Sequence, residues 1–120
     1  MFQLLEPDFS HEDTRGKLVQ LAHCGYRQIN VVYSKAGTIR GGHYHKKNVE
    51  AFYVVSGMCE VCFQTEDTRE TQTFTAGQFF CIKPNIVHTF KYLQDTILVG
   101  LYDIGVEMAN GEKDIFQADI

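Results

Sequence analysis

At 120 residues the chain can build one hydrophobic core and not two, so a single domain over residues 1–120 is expected. Its 44% hydrophobic content suits a globular protein, and a net charge of −4 with no basic cluster beyond Lys46-Lys47 excludes a nucleic-acid surface. No segment approaches the ~20 apolar residues of a membrane span, and the N-terminus lacks a basic stretch followed by a long apolar run, which points to a cytoplasmic protein without a membrane partner.

The first residues, MFQLLEP, are apolar but have no obvious place in a strand pattern. Burying them together with exposed edge strands predicts a homodimer. His11 and His23 stand in polar surroundings without a partner at ligand spacing and read as solvated. From residue 29 onward, runs rich in β-branched and aromatic residues follow one another: INVVYS, AFYVVS, CEVCFQ, QFFCIK, VHTFKY and TILVGLY. Turn signals recur between and before them at His23-Cys24-Gly25, Gly41-Gly42, Lys46-Lys47-Asn48, Ser56-Gly57, Glu66-Asp67, Ala76-Gly77, Pro84-Asn85 and Gln94-Asp95. The pattern is all-β, and short, evenly spaced strands of this kind close into a sandwich or small barrel that can hold one small ligand. The last stretch, VEMANGEKDIFQADI, is unassigned, its Asn110-Gly111 pair suiting a tight turn as well as a helical one.

Cys59-x-x-Cys62 has the spacing of half a zinc ribbon, but residues three apart face opposite sides of a strand and no second half exists. All four cysteines, Cys24, Cys59, Cys62 and Cys81, are therefore expected reduced and packed as small hydrophobes.

The informative stretch is GTIRGGHYHKKNVEAFYVVSG, residues 37–57. Strand alternation puts His43 and His45 on one side and Tyr44 on the other. Glu50 follows after a four-residue turn, and His88 stands in a strand behind the Pro84-Asn85 turn. Three imidazoles and a carboxylate suit zinc, iron, manganese, nickel or copper, and not the oxygen-only preference of calcium or magnesium. The same imidazoles could instead serve as catalytic bases.

Written as Gly37-x5-His43-x-His45-x4-Glu50-x6-Gly57, followed by Gly77-QFFCIK-Pro84-NIV-His88, the chain closely resembles the two motifs of the cupin superfamily. The resemblance implies a jelly roll whose interior holds a divalent metal on His43, His45, Glu50 and His88. In the second motif His88 follows Pro84 by four positions where five is usual, and Tyr92 stands where asparagine is frequent. Asp13-x-Arg15-Gly16 and Arg40-Gly41-x-His43-Tyr44 resemble segments lining the sugar-nucleotide pocket of dTDP-4-dehydrorhamnose 3,5-epimerases. Arg40 to Lys46 is also similar to the small dTDP-sugar 3,4-ketoisomerases. His43, His45, Glu50, Pro84 to His88 and Asp95-Thr96 resemble the C-terminal cupin domains of bifunctional UDP-sugar enzymes of capsule synthesis.

These relatives share proton removal beside a keto group, so the resemblance implies an epimerase or keto isomerase of a 4-keto nucleotide sugar in polysaccharide biosynthesis. His43 and Arg40 are the expected catalytic residues, His43 as base or, with a metal present, as ligand, and Arg40 on a phosphate or sugar oxygen. The two roles of His43 exclude each other, because a ligating nitrogen has no free lone pair. The glutamate favours the metal, since an unpaired buried carboxylate is costly. Tyr44 and Tyr102 are expected to pack without a chemical role. A metal-dependent dioxygenase and a non-catalytic sugar-binding cupin are the alternatives.

Overall fold

Alternating apolar side chains and glycine turns produce twelve strands and no helix among residues 1–118, the part that the computed structural model describes. Residues 119 and 120, the end of the expected domain and of the unassigned stretch, lie outside the described residues. No helix here is long and apolar enough to cross a membrane.

One five-stranded sheet has the order β1 (Phe2–Leu4), β9 (Phe79–Ile82), β6 (Glu50–Ser56), β11 (Thr96–Tyr102) and β4 (Gln28–Ser34). The second runs β12 (Phe116–Gln117), β5 (Ile39–Tyr44), β10 (Val87–Tyr92), β7 (Met58–Gln64) and β8 (Arg69–Thr75). A hairpin of β2 (Phe9–Asp13) and β3 (Gly16–Gln20) forms a separate two-stranded sheet. All pairings within the sheets are antiparallel. The two large sheets enclose the core between them as a cupin jelly roll, the all-β class expected.

Period-two alternation builds that core. Phe52 and Val54 on β6, Leu98 on β11 and Phe80 and Ile82 on β9 meet Cys59, Val61 and Phe63 on β7, Phe74 on β8, and Phe90 and Tyr92 on β10. Phe74 and Phe80 stack with ring centroids 3.7 Å apart. Cys59 is buried in this interior, whereas Cys62, three residues on, is only partly covered on the opposite face of β7. Cys81 is buried as well, but Cys24 is exposed, so the expectation of packed thiols fails for that residue. It lies in the open loop before β4, where no sheet face covers it.

Two further expectations are corrected. The apolar N-terminus has a place inside its own chain: β1 pairs with β9, and the Phe2 ring lies 5.1 Å from that of Phe63 and 5.2 Å from that of Phe74. The motive it supplied for a dimer therefore disappears. Gly41-Gly42, read as a turn, lies within β5 at a register shift opposite His88 and Thr89. Gly41 has φ of +106°, and a Cβ there would stand 2.6 Å from the His88 carbonyl oxygen, so only glycine lets β5 approach β10 at this point.

The aromatic stack generates a stability prediction. Phe80→Ala, at a fully buried position, is expected to cost about 3–5 kcal/mol in urea unfolding. A loss under about 1 kcal/mol would mean that the stack does not anchor the two sheets.

Candidate functional site

Both sheets contribute to one buried cluster. His43, near the end of β5, and His88, on β10, come from the second sheet, and the two face each other in register. His45 lies one residue beyond β5, and Glu50 opens β6 in the first sheet. The chain thus crosses between sheets through residues 45–49, and histidines and glutamate close in sequence approach from opposite walls. The ring centroids of His43 and His88 are 4.7 Å apart, and those of His45 lie 5.3 Å from each. One ligand atom from each of the four residues lies within 4.8 Å of the others. His45, Glu50 and His88 are buried, and His43 is partly exposed.

The hydrogen bonds around the imidazoles fix their tautomers. His45 Nδ1 is 2.6 Å from the Asp114 carbonyl oxygen, and His88 Nδ1 is 3.0 Å from that of Ile86. A carbonyl only accepts, so each Nδ1 carries a hydrogen, and in a neutral ring Nε2 is then a bare lone pair. These two Nε2 atoms lie 3.1 and 3.3 Å from the same Glu50 oxygen. Among the described residues, buried His88 Nε2 has no hydrogen-bond partner. Three acceptors therefore converge where a proton or a metal ion is needed between them.

Charge follows from this arrangement. Burial favours the neutral acid at Glu50, but the imidazole of His45 and then that of His88 outweigh it and hold the carboxyl down at about 2. Burial also disfavours charge on His45, yet the Glu50 carboxylate and the Asp114 carbonyl prevail and raise its pKa. His43 is pushed down to about 4 by burial and by its two neighbouring imidazoles, so it is neutral at physiological pH. The Tyr102 hydroxyl, beside Glu50, is raised by burial and by that negative charge.

The cluster opens into a cavity of about 420 Å³. His43, Glu50, His88 and Tyr102 line it at the chemical end, Phe52, Phe90 and Leu98 supply apolar wall, and Arg40 lines it too. Arg40 Nε donates to Ser34 Oγ at 2.8 Å, and a terminal nitrogen lies 3.3 Å from the Tyr33 carbonyl. These contacts orient an otherwise exposed guanidinium.

The sequence model of the family described as polysaccharide biosynthesis C-terminal domain matches residues 11–102, which include all four cluster residues. The chain belongs to that family. No curated protein matches the sequence. Among solved structures, a 3,4-ketoisomerase from Helicobacter canadensis superposes with a TM-score of 0.81 at 18% identity, over 97% of this chain and 90% of that one. A mutant 3,4-ketoisomerase from Thermoanaerobacterium thermosaccharolyticum, in complex with TDP-4-keto-6-deoxyglucose, gives 0.80 at 13% identity, over 97% and 86%. A dTDP-4-dehydrorhamnose 3,5-epimerase from Bacillus anthracis, with TDP and PPi bound, gives 0.71 at 24% identity, over 92% and 75%. At these identities the likeness is one of fold.

Within the family domain, the structure brings together His43, His45, Glu50, His88 and Arg40 as lining or floor of one site. It does not bring Asp13 and Arg15 there. They occupy the tip of the β2–β3 hairpin, where Arg15 grips Asp13 at 2.6 Å and stays largely exposed. Asp95 accepts from the Ala36 backbone at 2.9 Å and Thr96 is buried against Met58 and Gln94, so this pair holds a turn. His11 and His23 are exposed, each beside an aspartate. Tyr44 points away and stacks on Phe116, as alternation required. Tyr102 is buried, as the packing expectation has it, but against the cluster: its ring is 5.3 Å from that of His45 and it sits opposite Glu50 in the β11–β6 register. The available signal was its parity with Leu98 and Gly100 on β11.

Asp114 is the residue that sequence reasoning missed. Burial favours its neutral form, but donors from Asn48 and the backbone of Lys46, Lys47 and Asn48 outweigh it and hold the carboxyl at about 2 against an ordinary 3.8. The folded state binds this proton less readily than the unfolded chain, so the associated stability is complete above pH ~4 and is lost as pH falls toward ~2. Asp114→Asn is expected to be destabilised by roughly 2–3 kcal/mol at neutral pH, a gap that closes by pH ~2. Urea titrations across that range check it, and a gap independent of pH would contradict it.

Proposed function

We propose that the chain is a metal-dependent epimerase or keto isomerase of a 4-keto nucleotide sugar, the metal being a divalent transition ion such as zinc, iron, manganese or nickel. The observation that carries this reading is the convergence of two Nδ1-locked imidazoles on a buried carboxylate, beside a third imidazole, at a cavity of about 420 Å³. Membership of a polysaccharide biosynthesis family and the shared fold of sugar-nucleotide ketoisomerases and epimerases support the substrate class.

The donor set fits the ion. His88 Nε2 has no other partner, Glu50 is anionic, and the lone pairs of His45 and His88 already point inward. His43, His45, Glu50 and His88 would hold the metal, which when bound supplies Lewis-acid polarisation of a keto oxygen. The remaining chemistry belongs to the protein. Phe52, Phe90 and Leu98 give the cavity an apolar wall, beside which electrostatic contacts are stronger than in water. Arg40, already oriented by Ser34 and Tyr33, presents a planar cation to a phosphate or sugar oxygen. Tyr102 steadies the Glu50 carboxylate from the side opposite the histidines' own sheet.

One observation favours a second reading in which no metal is used and His43 is the base. Of the three imidazoles it alone is partly exposed, it lines the cavity, and it is held neutral. The two readings separate in one experiment. Protein prepared without chelator is expected to carry about one transition metal per chain. In deuterated water it should exchange the proton beside the carbonyl of a 4-keto sugar nucleotide, and it should lose both metal and exchange on His88→Ala. Exchange that survives complete metal removal would give His43 the role of base. Dioxygen consumption without exchange would instead make this a dioxygenase, and binding without either would make it a sugar-binding protein.

The chain also presents a surface for a second copy. Ile29, Val31 and Tyr33 alternate along the edge strand β4 with exposures of 62%, 54% and 68%, so one apolar face of that edge lies open. Pairing across a two-fold axis would cover it in both copies. Light scattering at micromolar concentration should give a dimer mass, and Val31→Lys should shift it to monomer. A monomer from the unmodified chain sinks the proposal.

A further inference from the structure

We propose that Asp114 is a positioning residue of this site, fixing the His45 ring with Nδ1 protonated and Nε2 aimed bare at Glu50. The consequence for metal affinity rests on the metal-holding reading above, whereas the geometry does not. His45 lies just past β5, at the start of the loop that crosses between the sheets. A ring on such a loop needs outside support to hold one orientation. Asp114 supplies it from both ends of one residue. Its carbonyl accepts His45 Nδ1 at 2.6 Å. Its carboxylate accepts the backbone N–H of Lys46 at 2.9 Å, of Lys47 at 3.0 Å and of Asn48 at 2.9 Å, with the Asn48 side-chain amide at 2.8 Å. The carboxylate therefore clamps the loop that carries the ring, while the carbonyl selects the ring's tautomer.

The clamp is itself anchored. Asp114 is 3% exposed, and its N–H donates to the Val106 carbonyl at 2.8 Å. The Asn48 side chain also ties into Gly105 through donor and acceptor. Beyond Asp114, β12 pairs Phe116 with Tyr44 and Gln117 with His43, and the Phe116 ring stacks on Tyr44 with the Lys46 ammonium 4.3 Å from its centre. A segment outside the residues that match the family thus grips the histidine-bearing strand from its open edge. A cap needed only for stability could end at the carboxylate. Here the same residue also sets which nitrogen faces the cluster, the arrangement by which outer partners tune a ligating histidine.

The test is imidazole ¹⁵N spectroscopy of metal-free protein under alkaline conditions, where the rings are neutral. Unmodified protein should show His45 as the Nδ1–H tautomer alone. Asp114→Asn places an amide N–H against the loop N–H groups, and His45 should then populate both tautomers. His88, held by Ile86, should keep its own and serves as an internal control. Zinc affinity measured by chelator competition should fall about 10–100-fold in the variant. If Asp114→Asn does not fold, Asp114→Ser, which keeps one acceptor, carries the same comparison. A folded variant in which His45 retains the single Nδ1–H tautomer overturns the proposal, whatever its zinc affinity. Unmodified protein that binds no zinc would defeat the metal reading, yet the tautomer comparison would still decide the role of Asp114.

Discussion

A buried carboxylate facing two lone pairs is the constraint on which the rest of this site depends. Glu50 is 4% exposed and remains anionic, which is tolerable only if positive charge reaches it inside the barrel. As neutral rings His45 and His88 turn bare lone pairs toward Glu50, because each has committed its hydrogen to a backbone carbonyl on the other side, and the carboxylate raises the pKa of His45 in turn. The site is therefore built around one shared carboxylate oxygen, and the surrounding structure serves to keep the groups that face it from moving apart. Gly41 allows β5 to close on β10 opposite His88. Asn85, in a left-handed conformation with φ of +67°, donates its N–H to the His45 carbonyl at 2.7 Å and so ties the turn before β10 to the other histidine.

The jelly roll makes this convergence possible because it brings two walls to one point. His43 and His88 share a sheet, and Glu50 comes from the facing one with Tyr102 beside it. A hairpin carrying both the His43-x-His45 pair and Glu50 would have laid all three on one surface, exposed to water, where a carboxylate is weakly perturbed and imidazoles titrate near their ordinary range. The crossing at residues 45–49 places them in opposition instead, where desolvation holds His43 neutral and the facing imidazoles keep Glu50 charged against its own desolvation. This requirement for opposed walls explains why the crossing loop is so heavily tied to Asp114.

Much of this was legible in the residues because strand alternation is rigid. The inward parity of His43 and His45, the outward parity of Tyr44 and the opposed faces of Cys59 and Cys62 all follow from period two. What the sequence hid depends on pairing between distant segments. β1 contains three residues and could not announce itself by pattern, yet its pairing with β9 turns an apparently orphaned apolar terminus into core. Asp114 stands in a stretch without periodicity, and its worth comes from loop N–H groups 66 to 68 residues away. The reverse error arose at Asp13 and Arg15, where a motif resemblance implied a shared pocket and the hairpin holds the pair apart from the cavity.

Fold likeness alone leaves the chemistry open, and charge counting narrows it. If a proton satisfies Glu50, it resides between the carboxylate and His45, whose pKa that carboxylate raises, and the pair is neutral overall beside an uncharged His43. Such a site offers negative charge on a substrate no fixed countercharge except Arg40. A divalent ion held by the same residues, as proposed, would be offset by one carboxylate and would also give a partner to the His88 nitrogen that has none among the described residues. Removing a proton beside a carbonyl develops negative charge on the oxygen, and in a cavity walled by Phe52, Phe90 and Leu98 a fixed positive centre acts with little screening. The acceptor geometry and the demands of the proposed reaction rest on separate observations, the first on hydrogen bonds that commit Nδ1 and the second on the apolar walls of the cavity.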